Sequence, residues 1–164
     1  CSHEHHDHNY RAGVTLRQDS RVNPFTITSL PSFHDDCGGE KRGPNTIHLL
    51  EAGGLRVAHL GDLGALPAPE VVEQLQNLDA VLVPVGGFYT VGPQEAWEVV
   101  QALSPRVIVP MHYSTDTFGY DVLAPVEDFL DLGGRWVRYD TDTLEIHPGM
   151  SRHTALLTYG GAKD

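Results

Sequence analysis

The chain has 164 residues, with 40% hydrophobic and 20% charged residues, a formal charge of −11 and a sequence pI near 5.2. That length suits one domain, residues 1–164, and the composition excludes disorder, collagen and coiled coil. The acidic balance excludes a general nucleic-acid binder, which needs Lys/Arg patches, and no apolar run is long enough for a membrane span. Two cysteines, Cys1 and Cys37, cannot build a disulfide framework, so a reducing, cytoplasmic location is expected.

Segments are short and punctuated by glycine and proline. Residues 25–30 (FTITSL) read as a β-branched strand, and residues 35–45 (DDCGGEKRGPN) as loop. Residues 46–51 and 55–60 flank Ala52-Gly53-Gly54 and read as a hairpin. Residues 69–77 open with proline and acid, a helix start. Residues 80–85 (AVLVPV) form a buried strand, residues 93–103 a helix with Ala96, Val99, Val100 and Leu103 on one face, and residues 107–111 another buried strand. A helix over 122–132 despite Pro125, and a final strand pair over 135–139 and 143–146, complete the pattern. Strands followed by alternating strand and helix argue for a layered α/β domain. His34, Asp62 and His112 each fall just past a strand, where such folds gather their sites.

Histidine is in surplus: the chain has ten, four of them in the first eight residues. The opening contains H-x-H-x-D-H, as His3, His5, Asp7 and His8. Imidazole and carboxylate suit zinc or a similar borderline metal, and alternate spacing points His3 and His5 the same way from an extended segment. Asp7 and His8 then serve a neighbouring position, so one loop can feed two ions. H-E-x-x-H fails because Asp7 stands four after His3, and there is no C-x-x-C pair. A purification tag or a loose metal-sequestering tract is the plain alternative, but Glu4 and Asp7 interrupt the run and it continues into Asn9 and Tyr10.

The later segments extend the pattern: Pro31-Ser32-Phe33-His34-Asp35-Asp36, His59-Leu60-Gly61-Asp62-Leu63-Gly64, Val85-Gly86-Gly87-Phe88-Tyr89-Thr90 and Pro110-Met111-His112-Tyr113. In order and spacing the set resembles the metallo-β-lactamase superfamily, and the GG-x-Y-T and P-M-H-Y segments resemble its ascorbate-6-phosphate-lactonase-like branch. The resemblance runs from residue 1 to at least residue 115. It implies an αββα four-layer sandwich. It also implies two divalent ions, with Zn²⁺ the first choice and Mn²⁺, Fe²⁺ or Ni²⁺ compatible with the same donors. By the resemblance His3, His5 and His34 hold the first metal, Asp7, His8 and His112 the second, and Asp62 bridges them. Asp7 is also the candidate catalytic base.

The implied activity is hydrolysis of a lactone, ester, amide or phosphodiester in a small molecule by a hydroxide shared between two metals. A non-catalytic metal-binding fragment and a diiron redox relative are the alternatives. In the family, strands precede the first histidine motif, roughly 45–60 residues of them, whereas here only Cys1 and Ser2 do. The expectation is therefore the larger C-terminal portion of such a domain. The missing strands would be cleaved, supplied by a second chain or by a homo-oligomer, or would lie outside the sequence.

Other residues are secondary candidates. His59 is placed to support Asp62, and His6 occupies a variable position. Tyr89 and Tyr113 are either core aromatics or phenols reaching the pocket. For Lys41 and Arg42 a solvated loop competes with contact to an anionic substrate group.

Overall fold

The computed structural model describes residues 1–5 and 24–158. The apolar runs Ala80–Pro84 (β4) and Val107–Met111 (β5) lie side by side in parallel near the middle of the sheet, which has seven strands among the described residues. Both are rich in valine and covered on both faces, as strands of a parallel sheet must be. On one side β4 pairs in parallel with Leu55–His59 (β3), which forms an antiparallel hairpin with Pro44–Ala52 (β2) through Gly53 and Gly54. Thr26–Phe33 (β1) is the antiparallel edge beyond β2. On the other side His153–Leu156 (β7) inserts between β5 and the edge strand Trp136–Arg138 (β6), giving the order β1-β2-β3-β4-β5-β7-β6.

Parallel neighbours need crossovers. Pro69–Gln74 (α1) links β3 to β4 and Pro93–Leu103 (α2) links β4 to β5; Val126–Leu130 (α3) follows. Both crossover helices start at proline, whose missing N–H costs nothing there. Val71 of α1, the Ala96, Val99, Val100 and Leu103 stripe of α2, and Phe129 of α3 share one core with Ile47, Leu49, Ala58, Val81, Val83 and Ile108. The three helices of the described residues therefore cover the same sheet face. The opposite face carries Val57, Ala80, Val107 and Val109, over which Leu144, Ile146 and Met150 pack. On edge strand β1 this opposite face shows Ile27 and Phe33, 53% and 50% exposed.

Two expected elements are placed differently. The helix begins at Val126 rather than at Val122, because Pro125 stands extended, with ψ 154°, before the first turn. The alternation of residues 143–146 does not make a strand. Leu144 and Ile146 pack down onto the sheet instead of pairing along its edge. The partner of β6 is β7, all four residues of which are buried, so it shows no alternation to read.

Strand direction positions the site. β1 and β2 are antiparallel, as are β2 and β3, while β3, β4 and β5 are parallel. The chain therefore leaves β1, β3, β4 and β5 at one end of the sheet and enters β2 there. His34, Asp62, Gly86 and His112 follow the four exits, and Asn45 stands at the entry.

Candidate metal centre

A backbone hydrogen bond from Thr46 N–H to the Ser2 carbonyl, 2.9 Å, ties the N-terminal residues to this end of the sheet. That contact brings His3 and His5 against His34. The ring centroids lie 4.5 Å apart for His3–His5, 4.7 Å for His3–His34 and 5.1 Å for His5–His34, and one nitrogen from each falls within 4.8 Å of the others. His3 and His34 are buried, His5 exposed. The Asp62 carboxylate, 4% exposed, sits at the junction: Oδ2 is 3.3 Å from His34 Nε2, 3.6 Å from His3 Nε2 and 3.7 Å from His112 Nε2. Ser2 Oγ lies 3.0 Å from His3 Nδ1, leaving Nε2 as the lone-pair nitrogen whenever Nδ1 carries the proton.

His112 reaches the group because the chain bends sharply after β5. Its φ is +55°, a left-handed conformation costing a side-chain-bearing residue about 1–3 kcal/mol. Strain of this kind persists where the surroundings hold it, and here Gly86 packs against the His112 carbonyl while Asp62 and Tyr89 meet its ring.

The donor set fits a borderline divalent cation. Both ring nitrogens of His34 and Nδ1 of His112 are buried without a hydrogen-bond partner among the described residues. Burying ring nitrogens in this state is costly unless another partner takes up the lone pairs. Asp7 and His8 lie outside the described residues.

Comparison with known proteins accords with this geometry. A family model described as the beta-lactamase superfamily domain matches residues 1–112. A crystal structure from Thermotoga maritima, assigned to the Zn-dependent hydrolases of the metallo-β-lactamase superfamily, is 36% identical. It superposes with a TM-score of 0.68 over 88% of this chain and 71% of that one. The chain belongs to the metallo-β-lactamase superfamily. A UPF0173 metal-dependent hydrolase of Thermococcus onnurineus is 34% identical over 70% of the chain. The metallo hydrolase Igni18 of Ignicoccus hospitalis is 26% identical, with a TM-score of 0.52 over 66% of this chain and 45% of that one. The chain spans about half the length of the curated relatives it matches, 51% for the T. onnurineus protein.

In this superfamily member, residues that hold the ligand-bearing backbone were not apparent from the sequence pattern. Asn45, 2% exposed, donates from Nδ2 to Ser32 Oγ at 2.7 Å and to the Leu60 carbonyl at 2.9 Å. Its Oδ1 accepts the Asp62 N–H at 3.1 Å. One amide thus ties β1, β2 and the β3 exit together and aims Asp62. Asn45→Ala leaves three buried groups without that partner. The expected cost is about 2–4 kcal/mol in chemical denaturation, with metal affinity down about 10–100-fold by equilibrium dialysis.

Asp35, beside His34, accepts backbone N–H bonds from Cys37, Gly39, Lys41 and Arg42 at 2.7–3.0 Å. Burial pushes its carboxyl upward, but the N–H groups of Arg42, Gly39 and Cys37 outweigh burial and hold it well below the usual carboxylate range. The loop after His34 is therefore wound around an ionised carboxylate.

Three glycines let backbones meet at the site. A Cβ on Gly61 would strike Asn45 Oδ1 and Ser2 Cβ, one on Gly64 the His34–Asp35 peptide, and one on Gly86 the His112 carbonyl oxygen.

The secondary candidates divide. Tyr89 meets His112 edge-on at 6.4 Å, whereas Tyr113 packs on the core. His59 Nδ1 accepts the Gly61 N–H at 3.0 Å, beside Asp62. Lys41 points to solvent and pairs with Asp36, while Arg42 turns into the cavity. That cavity, about 320 Å³, is lined by His5, His34, Asp62 and His112 together with Arg42, Tyr89 and Tyr120. Among the described residues no helix is long and apolar enough to cross a membrane.

Proposed function

We propose that this protein is a metal-dependent hydrolase that cleaves an ester, lactone, amide or phosphodiester bond in a small molecule at a dinuclear centre. The observation that carries the reading is the Asp62 carboxylate, buried in the lining of a cavity with one oxygen 3.3–3.7 Å from imidazole nitrogens of His3, His34 and His112. His3, His5 and His34 would hold one ion. His112, with Asp7 and His8, would hold the second, and Asp62 would be shared. Divalent cations held there supply Lewis acidity and a water acidified to react near neutral pH. Zinc is the first assignment for this mixture of imidazole and carboxylate, which also suits manganese, iron and nickel.

The chain's own residues do the rest. Asp62 supplies negative charge that offsets repulsion between like cations. Its position is set by Asn45 and by the turn at Gly61. Asp7 is proposed to orient the attacking water and take its proton. The cavity has the size of a small-molecule site, and imidazoles and a carboxylate share its lining with Tyr89 and Tyr120.

The test is metal analysis of the full-length protein with turnover assays on phenyl acetate, γ-butyrolactone and bis(p-nitrophenyl) phosphate. Two equivalents of metal per chain, and turnover lost to a chelator and restored by Zn²⁺, are expected. One equivalent would overturn the dinuclear assignment. Two equivalents with no turnover of any probe would favour a non-catalytic metal-binding role, and an iron-loaded, coloured protein a redox one.

A further inference from the structure

Aromatic rings stand exposed at the metal end of the sheet. Phe88, Tyr89 and Tyr120 are 61%, 37% and 62% exposed, and all three lie on the loops that follow β4 and β5. Tyr89 and Tyr120 line the same cavity as His5, His34, Asp62 and His112. Exposed apolar side chains gathered at a cavity are the mark of a ligand-binding surface.

The two loops are anchored. Ala124 N–H donates to the Gly86 carbonyl at 2.7 Å, which ties one loop to the other. Within the loop after β5, Ser114 N–H donates to the Ala124 carbonyl at 3.1 Å, Ser114 Oγ to the Leu123 carbonyl at 2.7 Å and Leu123 N–H to the Tyr120 carbonyl at 3.0 Å. Gly119, at a φ of +89°, passes so close that a Cβ there would strike the Tyr113 carbonyl oxygen and the Ser114 Cα. In the loop after β4, Phe88 is held at a φ of +59°, and its ring meets the Tyr89 ring at 4.7 Å with an interplanar angle of 80°. The Tyr89 ring also meets the His112 ring and lies under the Arg42 guanidinium. Tyr89 is thus fixed by three neighbours. The Tyr120 side chain makes no ring contact and no hydrogen bond among the described residues. Burial of such a ring is favourable, yet the anchored backbone holds it out beside the cavity.

We propose that Tyr120, together with Tyr89, is a specificity residue of this site, stacking against a flat aromatic group of the substrate away from the bond that is cleaved. The substrate class is then a small ester or lactone carrying an uncharged aryl group. Tyrosine rings offer large, flat contact area at low ordering cost, and offset or edge-to-face contact favours a planar ring over a puckered one. The backbone hydrogen bonds at Ser114 and Leu123 set the position of Tyr120 before the substrate arrives, which lowers the cost of binding further. The proposal rests on the hydrolase reading for the fate of the substrate, but not for the binding of the ring.

The test uses ethyl 3-phenylpropanoate and ethyl 3-cyclohexylpropanoate, which share the reacting ester and its spacer and differ only in a flat against a puckered ring. Hydrolysis consumes one water and releases ethanol with the carboxylic acid, followed by titration at constant pH. Metal-loaded protein is expected to prefer the aryl ester by about 10-fold in kcat/KM. Tyr120→Ala should remove that preference by raising KM for the aryl ester about 10-fold with little change in kcat. Tyr120→Phe should keep the preference, and Tyr120→Leu should not. Saturation-transfer NMR with 3-phenylpropan-1-ol, which carries the ring but no hydrolysable bond, reads binding without turnover. Saturation should be strongest on the ring protons and should be lost in Tyr120→Ala.

Equal use of the two esters by the parent protein, or ring saturation unchanged in Tyr120→Ala, would overturn the proposal. So would an equal fall for both esters in Tyr120→Ala, since that marks a structural role. A dimer in sedimentation that Tyr120→Ala dissociates would overturn it as well, because the ring would then serve a second copy of the chain. Tyr120-dependent ring binding with no turnover of either ester would support the aromatic subsite and overturn the hydrolase reading alone.

Discussion

Asp62→Ala is expected to release metal from the protein and abolish hydrolysis. Its carboxylate is the one group whose oxygen approaches His3, His34 and His112 together among the described residues. Without it the donors proposed for the site are imidazoles and the Asp7 carboxylate of the second position, and two cations at neighbouring positions would repel with no shared anion between them. On the proposed dinuclear reading, metal content should fall to less than one equivalent, and turnover by at least about 10³-fold, the equivalent of several kcal/mol of lost charge stabilisation. Asp62→Asn keeps the volume and one oxygen and removes the charge. It should retain one metal at most, and fold as well as the parent when chelator is present. Elemental analysis of both variants after dialysis is the measurement, and unchanged metal content in Asp62→Ala would sink the shared-ligand assignment.

Gly86→Ala should damage the same site from a distance. No positive φ is involved, so the cost is steric: the added Cβ falls on the His112 carbonyl oxygen and crowds the Tyr113 Cα at 3.1 Å. Both obstacles are backbone, which cannot swing aside. The loop after β4 is also pinned in place, since Ala124 N–H donates to the Gly86 carbonyl at 2.7 Å and Val85 N–H to Met111 at 3.0 Å. His112 is already in a left-handed conformation and has little room to yield. A loss of about 3 kcal/mol is expected, the upper part of the usual range for overpacking, which lowers the melting midpoint by roughly 10 °C.

Gly64→Ala should behave alike, because its Cβ falls on the His34–Asp35 peptide. Gly92→Ala is the control: its Cβ meets the far end of the Glu95 side chain, which can move, and it should cost about 1 kcal/mol or less. Thermal denaturation with and without Zn²⁺ checks all three. The two damaging variants should also lose part of the midpoint gained on adding metal. A midpoint for Gly86→Ala within a degree or two of Gly92→Ala would show that the backbone approach at His112 is not rigid.

The local pattern of the chain was enough to mark most elements and to place three chemically able side chains after strands. α2 and β5 have the bounds that their apolar periodicity implies, residues 93–103 and 107–111, because helix and strand periods are properties of neighbouring residues. The same locality explains why His34, Asp62 and His112 could be set just past strand exits from spacing and turn residues alone. The motif order also carried the superfamily.

What lay beyond reach is everything that depends on distant segments meeting. β7 is covered on all sides and so has no alternation, while residues 143–146 alternate because one side packs on the sheet face. The two patterns exchange their meanings once the chain is folded. Asn45 reads as the end of a polar loop, yet it binds Asp62 across 17 positions of sequence. Gly86 reads only as part of the GG-x-Y-T segment, and the parallel pairing of β4 with β5 brings His112 against it. Arg42 and Lys41 are adjacent cations with the same composition cue. The Asp35-centred loop turns Lys41 to solvent and Arg42 over Tyr89. Residue types and spacing determined which chemistry this chain can support. Strand direction and close backbone packing, which are set by contacts between remote residues, decided which of those groups share one cavity.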